Sequence, residues 1–255
     1  MVPFIHLGRV TLGTYGIMVA VALICAFFLM RADLARRSLA VDAESIIGIT
    51  GLAGLVGARL YHLLEDPQAF FANPLPLLFS TMGFAWFGAF LGGFIALILL
   101  ARSYKINMLL MLDLASPAAA LGYGIGRIGC LISGDGDYGI PTSLPWGMSF
   151  PNGLVPTTAR VHPTPIYELL AALLIGHILW RIGPRIIRRE LPDGTVFAWY
   201  LILSALARFL VEFIRINPPV LFGLSNAQLA SAVCFVAGAA LLWRLPPAAA
   251  PQKQL

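Results

Sequence analysis

The 255-residue chain is 59% hydrophobic and only 11% charged, with a mean hydropathy of +0.84. So small a polar fraction cannot cover a water-soluble surface of this size, which excludes a soluble globular enzyme, and low charge with 16 Phe excludes disorder. The formal net charge of +5 is assigned to membrane orientation rather than to nucleic-acid binding.

A hydrocarbon core of about 30 Å needs roughly 20 apolar helical residues, and the chain offers several such windows. Residues 10–30 carry no charge between Arg9 and Arg31 and lack a small-x-small cleavage site after them, so they read as an uncleaved first span. Further spans are expected at 45–64, 78–101, 106–127, 164–180, 195–214 and 223–243, giving an all-α membrane protein of seven helices. No loop is long enough for a second soluble domain, so residues 1–255 are expected to form a single polytopic membrane domain.

Eleven basic residues fall on one side of these spans: Arg31, Arg36, Arg37, Arg102, Lys105, Arg181, Arg185, Arg188, Arg189, Arg244 and Lys253. Arg9, Arg160 and Arg215 fall on the other, so the N-terminus is expected outside and the C-terminus in the cytoplasm. Residues 131–163 then face outward; rich in Gly, Pro and Asp without helical period, they read as an ordered loop or small cap at the membrane boundary. Cys25, Cys130 and Cys234 lie in separate apolar segments without CxxC spacing, arguing against a disulfide frame or a metal site.

An ionisable side chain at membrane depth costs about 2.5 to 3.5 kcal/mol on insertion scales, which makes each one a functional candidate. Arg59, Arg127, Glu168, Arg208 and Glu212 all fall toward the outer leaflet, whereas Asp113 lies near the cytoplasmic end of its span, suited to a cap or a basic loop partner. Arg59 and Arg127 can alternatively snorkel to headgroups, and Arg208 with Glu212 at i,i+4 can form a structural ion pair, with Arg215 on the same stripe. Three arginines against two carboxylates leave an expected unneutralised positive site, which suits a lipid phosphate because a guanidinium fork binds phosphate oxygens bidentately.

The most distinctive residues are Gly126-Arg127-Ile128-Gly129, then Gly134-Asp135, then Leu144-Pro145-Trp146-Gly147 running to Phe150-Pro151, then His162 to Glu168. Tyr15-Gly16, Gly57 to Leu60, the Gly88 to Gly93 segment, and Arg208-Phe209 with Glu212 and Arg215 accompany them. Together these motifs resemble the phosphatidylglycerol:prolipoprotein diacylglyceryl transferases over residues 10–215. The resemblance implies a multi-pass enzyme of the bacterial cytoplasmic (inner) membrane. It moves the diacylglyceryl group of phosphatidylglycerol to the lipobox cysteine of a prolipoprotein, forming a thioether and releasing glycerol 1-phosphate.

No metal or organic cofactor is implied. The expected partners are phosphatidylglycerol, a prolipoprotein signal peptide with its lipobox cysteine, and membrane lipids, with no nucleic acid and the chain acting as a monomer. By resemblance Arg127 holds the headgroup, Arg208 and Glu212 are the second arginine with its acidic neighbour, and Tyr15 is the essential first-span tyrosine. The expected catalytic set is Tyr15, Asp135, Arg208 and Glu212; the expected substrate contacts are Arg127, Arg59, Arg208, His162, Tyr167 and Glu168.

The chain departs from the family pattern where Cys130 and Ser133 replace asparagines, Asp135 replaces Glu, Tyr138 precedes a late Gly139, and Phe87 stands where His or Tyr is common. Phe87 cannot be a base, leaving Asp135, Asp137, His162, water or the leaving phosphate to take the thiol proton. His162 can instead cap the next helix or meet Glu168, and Tyr167 and Trp146 suit interface anchors. A paralogue that binds phosphatidylglycerol but uses another acceptor or is inactive, and a small transporter, are the alternative readings.

Overall fold

The computed structural model describes residues 1–8, 10–72, 74–78 and 85–246. Arg9 and Lys253 of the basic count, and positions 79–84 of the third expected span, lie outside the described residues. In chain order the elements are β1 (Phe4–Leu7), β2 (Val10–Gly13), α1 (Thr14–Arg36), α2 (Ala43–Glu65), α3 (Pro67–Ala72), α4 (Pro74–Leu78), α5 (Trp86–Ser103) and α6 (Met108–Ser133). After these come β3 (Met148–Phe150), β4 (Thr157–Val161), α7 (Thr164–Ile187), α8 (Thr195–Glu212) and α9 (Asn226–Arg244). Among the described residues α1, α2, α6, α7, α8 and α9 are long and apolar enough to cross a membrane, and the apolar part of α5 is shorter. The chain is therefore a multi-pass helical membrane protein.

Several helix ends move from their expected positions, each for a local reason. The first span starts at Thr14 rather than at residue 10, because Val10–Gly13 pairs antiparallel with Phe4–Leu7. It also runs past Arg31 to Arg36, because Asp33 neutralises the helix's own basic end: Arg36 and Arg37 contact its carboxylate at 2.5 and 2.6 Å. Arg37, expected in an open loop, has a fully buried side chain whose guanidinium packs against Gly183 of α7, while Arg36 lies 3.6 Å from the Trp180 ring centroid and donates to the Trp180 carbonyl. The fourth span extends to Ser133, so residues 128–133 are helical and the first three residues of the expected outer loop, 131–133, belong to the helix. The fifth extends to Ile187 and takes in Arg181 and Arg185.

By its contacts the chain falls into two compact units, residues 38–111 and residues 1–37 with 112–255. In the first, α2 and α5 meet through small residues: a side chain at Gly57 would strike the Gly88 carbonyl, and one at Gly92 the Ala53 carbonyl. Ala53-xxx-Gly57 against Gly88-xxx-Gly92 is the arrangement by which helices gain packing contact when lipid supplies no hydrophobic drive. Arg59 is buried on α2, and Phe87 is exposed on α5 with its ring 6.3 Å from that of Tyr61.

In the second unit α8 packs on α9, whose start is closed by a capping box between Ser225 and Gln228. Asp113 proves to be a cap for a different helix. Its carboxylate accepts the backbone N–H groups of Gly194 at 2.6 Å and Phe197 at 2.7 Å, at the start of α8. Those amides have no partner within the helix and carry the positive end of its dipole, so a buried carboxylate there is satisfied twice.

Between α6 and α7 the chain forms a small β cap. Met148↔Val161 and Phe150↔Thr157 pair β3 with β4; on the other side of β4, Thr142 N–H donates to the Arg160 carbonyl and His162 N–H to the Ile140 carbonyl. Ile140 N–H then bonds the Ile214 carbonyl, tying the cap to the residues after α8. The stacked rings of Tyr138 and Phe150, with Val161, form its core.

Candidate active site

One end of α6, α7 and α8 gathers Arg127, Glu168, Arg208 and Glu212, four of the ionisable residues that the sequence singled out. Glu168, just past the first turn of α7, is the hub and is nearly fully buried. Its Oε1 accepts from the Tyr123 hydroxyl at 2.6 Å and from Arg208 Nη1 at 3.3 Å, while Oε2 faces Arg215 Nη1 at 3.2 Å and Arg127 Nε at 3.5 Å. Arg208 Nη2 meets Glu212 Oε2 at 2.9 Å, one turn along α8. Glu212 Oε1 accepts from Asn217 and from the Ser225 hydroxyl, both at 2.7 Å, so this carboxylate also anchors the start of α9.

The third carboxylate is Asp137. One of its oxygens pairs with Arg127 Nη1 and the other with Arg215 Nη2. Its backbone is held separately, because the Thr164 hydroxyl and Arg215 Nη1 both donate to its carbonyl. Burial pushes the Asp137 carboxyl up, but the Arg215 and Arg127 guanidinium groups outweigh it and hold it below the usual carboxylate range.

This pairing replaces the expected unneutralised site of Arg59, Arg127 and Arg208 against Glu168 and Glu212: Arg59 belongs to the unit of residues 38–111, and Arg215 and Asp137 join the cluster instead. Arg127, Arg208 and Arg215 meet Asp137, Glu168 and Glu212, so three cations face three anions. Asp137 supplies the balancing charge from the cap, and it lies 78 positions from Arg215. Leaving three guanidinium groups unpaired in so buried a place would cost several kcal/mol per ion, on the order of the desolvation penalty for buried charge.

Tyr123 was absent from the expected site and is central to it. Beyond its bond to Glu168, its ring lies 4.7 Å from the Arg127 guanidinium carbon. The available signal was its position one helical turn before Arg127, which puts both on one face of α6.

Tyr15 approaches the same region from α1. A Cβ on Gly129 would stand 3.1 Å from the Tyr15 ring, so the glycine of the Gly-Arg-x-Gly motif makes room for this tyrosine. The Tyr15 side chain is half exposed, and its electrostatic neighbours include Cys130, Arg127, Asp135 and Asp137. Asp135 lies between Gly134 and Gly136, whose φ values of +60° and +93° turn the chain out of α6. Burial, with the adjacent Asp137 carboxylate, raises the proton affinity of Asp135 above the usual carboxylate range even though the Cys130 thiol donates to it.

Ligand atoms of Cys130, Asp135 and Asp137 lie within 4.8 Å of one another, a spacing that a metal ion can use. Both Asp137 oxygens are already on arginines, and Arg127 Nη1 stands 3.7 Å from the Cys130 sulfur. Two guanidinium groups at the cluster make it a poor cation site.

His162 does not meet Glu168. Its Nδ1 lies 3.2 Å from the Tyr167 hydroxyl, which also accepts from Trp146 Nε1 at 2.7 Å. Arg160 fastens the Leu144 to Gly147 turn beneath them by donating to the carbonyls of Leu144, Pro145 and Gly147. The late glycine, Gly139, is where the cap crosses the chain after α8: a side chain there would collide with the Ile214 carbonyl and crowd His162. Of the expected residues, Arg127, Glu168, Arg208 and Glu212 therefore converge, Tyr15 and Asp135 border them, His162 and Tyr167 form a neighbouring pair, and Arg59 belongs to the unit of residues 38–111.

A family model described as prolipoprotein diacylglyceryl transferase matches residues 3–244. Similar proteins named phosphatidylglycerol-prolipoprotein diacylglyceryl transferase include one from Geobacter sulfurreducens, 36% identical over 92% of this chain and 91% of its own length. Another, from Clostridium tetani, is 34% identical over 80% of this chain and 81% of its own. A third, from Gloeobacter violaceus, is 30% identical over 98% and 94%. With its arginine cluster lying inside a match that runs nearly from end to end, the chain belongs to the prolipoprotein diacylglyceryl transferase family.

Proposed function

We propose that this protein transfers the diacylglyceryl group of phosphatidylglycerol to the lipobox cysteine of a prolipoprotein. The observation that carries the reading is the convergence of Arg127, Arg208 and Arg215 at one end of three apolar helices. Guanidinium groups in a poorly hydrated place stabilise a phosphate leaving group, and the lipid's acyl chains lie naturally along apolar helix faces. In the reaction the cysteine sulfur attacks glycerol carbon 3 and the carbon–oxygen bond to phosphate breaks. The electron pair leaves on the phosphate oxygen as glycerol 1-phosphate, and the thiol proton passes to Asp135. A carboxylate whose proton affinity is raised by burial is a better match to a thiol than an ordinary one.

In this reading Arg127, Arg208 and Arg215 hold the donor phosphate, Glu168 and Glu212 aim the arginines, and Tyr15 lines the entry of the reactants over Gly129. His162, Tyr167 and Trp146 present the acceptor side of the cap. The chain acts as one membrane domain and as a monomer in the bacterial cytoplasmic membrane. Its N-terminus and the cap lie outside and its C-terminus is cytoplasmic, an orientation that the clustering of basic residues supports.

The test is a reconstituted assay with labelled phosphatidylglycerol and a lipobox peptide, scored by the peptide's mass gain and by released glycerol 1-phosphate. Thioether product that disappears in Arg127→Ala and Arg208→Ala supports the reading. Wild-type turnover in Arg127→Ala would remove the phosphate assignment.

A further inference from the structure

The three carboxylates of the cluster differ in how they are held. Glu168 and Glu212 stand on helices, with side chains 4% and 1% exposed, and each also accepts hydrogen bonds from neutral groups: Tyr123 in one case, Asn217 and Ser225 in the other. Asp137 stands on the irregular chain after α6, its side chain 31% exposed, and its carboxylate makes ion pairs only with Arg127 and Arg215 among the described residues. Each of its oxygens engages a different guanidinium, which is the pattern a phosphodiester presents with its two unesterified oxygens. The backbone carbonyl of Asp137 is fixed by Thr164 and Arg215, so the side chain can turn away without the cap coming loose.

We propose that the Asp137 carboxylate is a tethered stand-in for the donor's phosphate: it fills the fork between Arg127 and Arg215 in the unliganded protein and is displaced when the donor enters. The inference rests on the donor reading above. It gives the exchange a physical logic, because one monoanion replaces another and the arginines never stand uncompensated. It also gives a route for product to leave, since the returning carboxylate competes with glycerol phosphate for the same donors.

Two experiments on the full-length protein in proteoliposomes test this. In Asp137→Asn the stand-in loses its charge, so KM for phosphatidylglycerol and Ki for glycerol 1-phosphate should both fall, Ki by about five- to tenfold, the difference between a charge-assisted and a neutral competitor. Asp137→Glu, which keeps the charge, should stay close to wild type in Ki. A purely structural Asp137 would instead give raised or unchanged constants in Asp137→Asn, and that result overturns the proposal.

The second experiment uses unmutated protein and does not depend on a variant folding or on turnover. Carbodiimide coupling of glycine ethyl ester to Asp137, mapped by mass spectrometry, should speed up several-fold when glycerol 1-phosphate is added. Protection or no change overturns the displacement. Absence of any thioether product from wild type would count against the functional reading, whereas normal transfer with unchanged Ki and labelling would remove the displacement alone.

Discussion

The hydroxyl of Tyr123 donates to Glu168 at 2.6 Å while its ring lies against Arg127, so one side chain on α6 contacts both the hub carboxylate and a guanidinium bound to it. Tyr123→Phe separates these roles, because it keeps the ring and removes the donor. The loss of one hydrogen bond to a buried carboxylate should cost about 1 to 3 kcal/mol. Because Arg208, Arg215 and Arg127 share that carboxylate, transfer should fall about tenfold with the fold retained. Steady-state turnover beside a thermal melt checks this; unchanged turnover would make the hydroxyl dispensable.

Asp113 is expected to matter for stability and not for chemistry. Each of its oxygens accepts a different amide of the α8 start, so Asp113→Asn keeps one acceptor and turns an N–H₂ toward the other amide. The expected loss is about 2 kcal/mol, the usual cost of stranding a buried donor. The melting temperature in detergent should drop, while KM for the lipid donor stays the same in the protein that remains folded.

The pH dependence should carry two opposite signatures. Asp135 has to be ionised to accept a proton, and its proton affinity is raised, so the acid limb of kcat/KM should lie above the ordinary carboxylate range and vanish with the activity of Asp135→Asn. Asp137 is shifted the other way by its arginines. Its contribution to stability is present above the ordinary carboxylate range and is lost as pH falls through its depressed folded value. A melt series from neutral to strongly acidic pH should show that loss in wild type and a flatter profile in Asp137→Asn.

Gly129 is the position where added bulk should act on α1, through Tyr15 and Met18, and leave the arginines in place. A valine would press on the Tyr15 ring and Met18, both against the new Cβ, so Gly129→Val should push α1 away from α6. Turnover should fall about a hundredfold, in line with the effect of misplacing a group by about 1 Å. Donor binding through the arginines should persist, read as retained retention of fluorescent phosphatidylglycerol. Loss of both together would show that the glycine serves the arginines too.

How much of this was legible beforehand follows from the range over which each signal acts. The long apolar windows at α1, α2, α6, α7, α8 and α9 declare themselves locally, and so do Arg208 and Glu212, one helical turn apart. The C-terminal end of α1 lies beyond Arg31, a charge that reads locally as a boundary, because Asp33 compensates the arginines that follow within the same helix. The strands of the cap are short and exist through pairing with residues far away, such as Ile140 with Ile214. The charge balance failed for the same reason: Asp137 sits outside every apolar window, and no local pattern ties it to Arg215. Tyr123 is legible only through Arg127, one helical turn later on the same face, since an aromatic residue in a membrane helix does not by itself declare whether it faces lipid or protein.

The burial of Arg37 against Gly183 bears on how the molecule is made. Residue 37 is synthesised long before residue 183, so the contact that buries its guanidinium cannot form until α7 has been made. When α7 arrives, the basic end of α1 must shed its hydration to fit against a backbone with no side chain, and Arg36 closes over Trp180. The first helix is thus fastened at its basic end by a partner that lies far along the chain, so its final seat depends on a segment made much later.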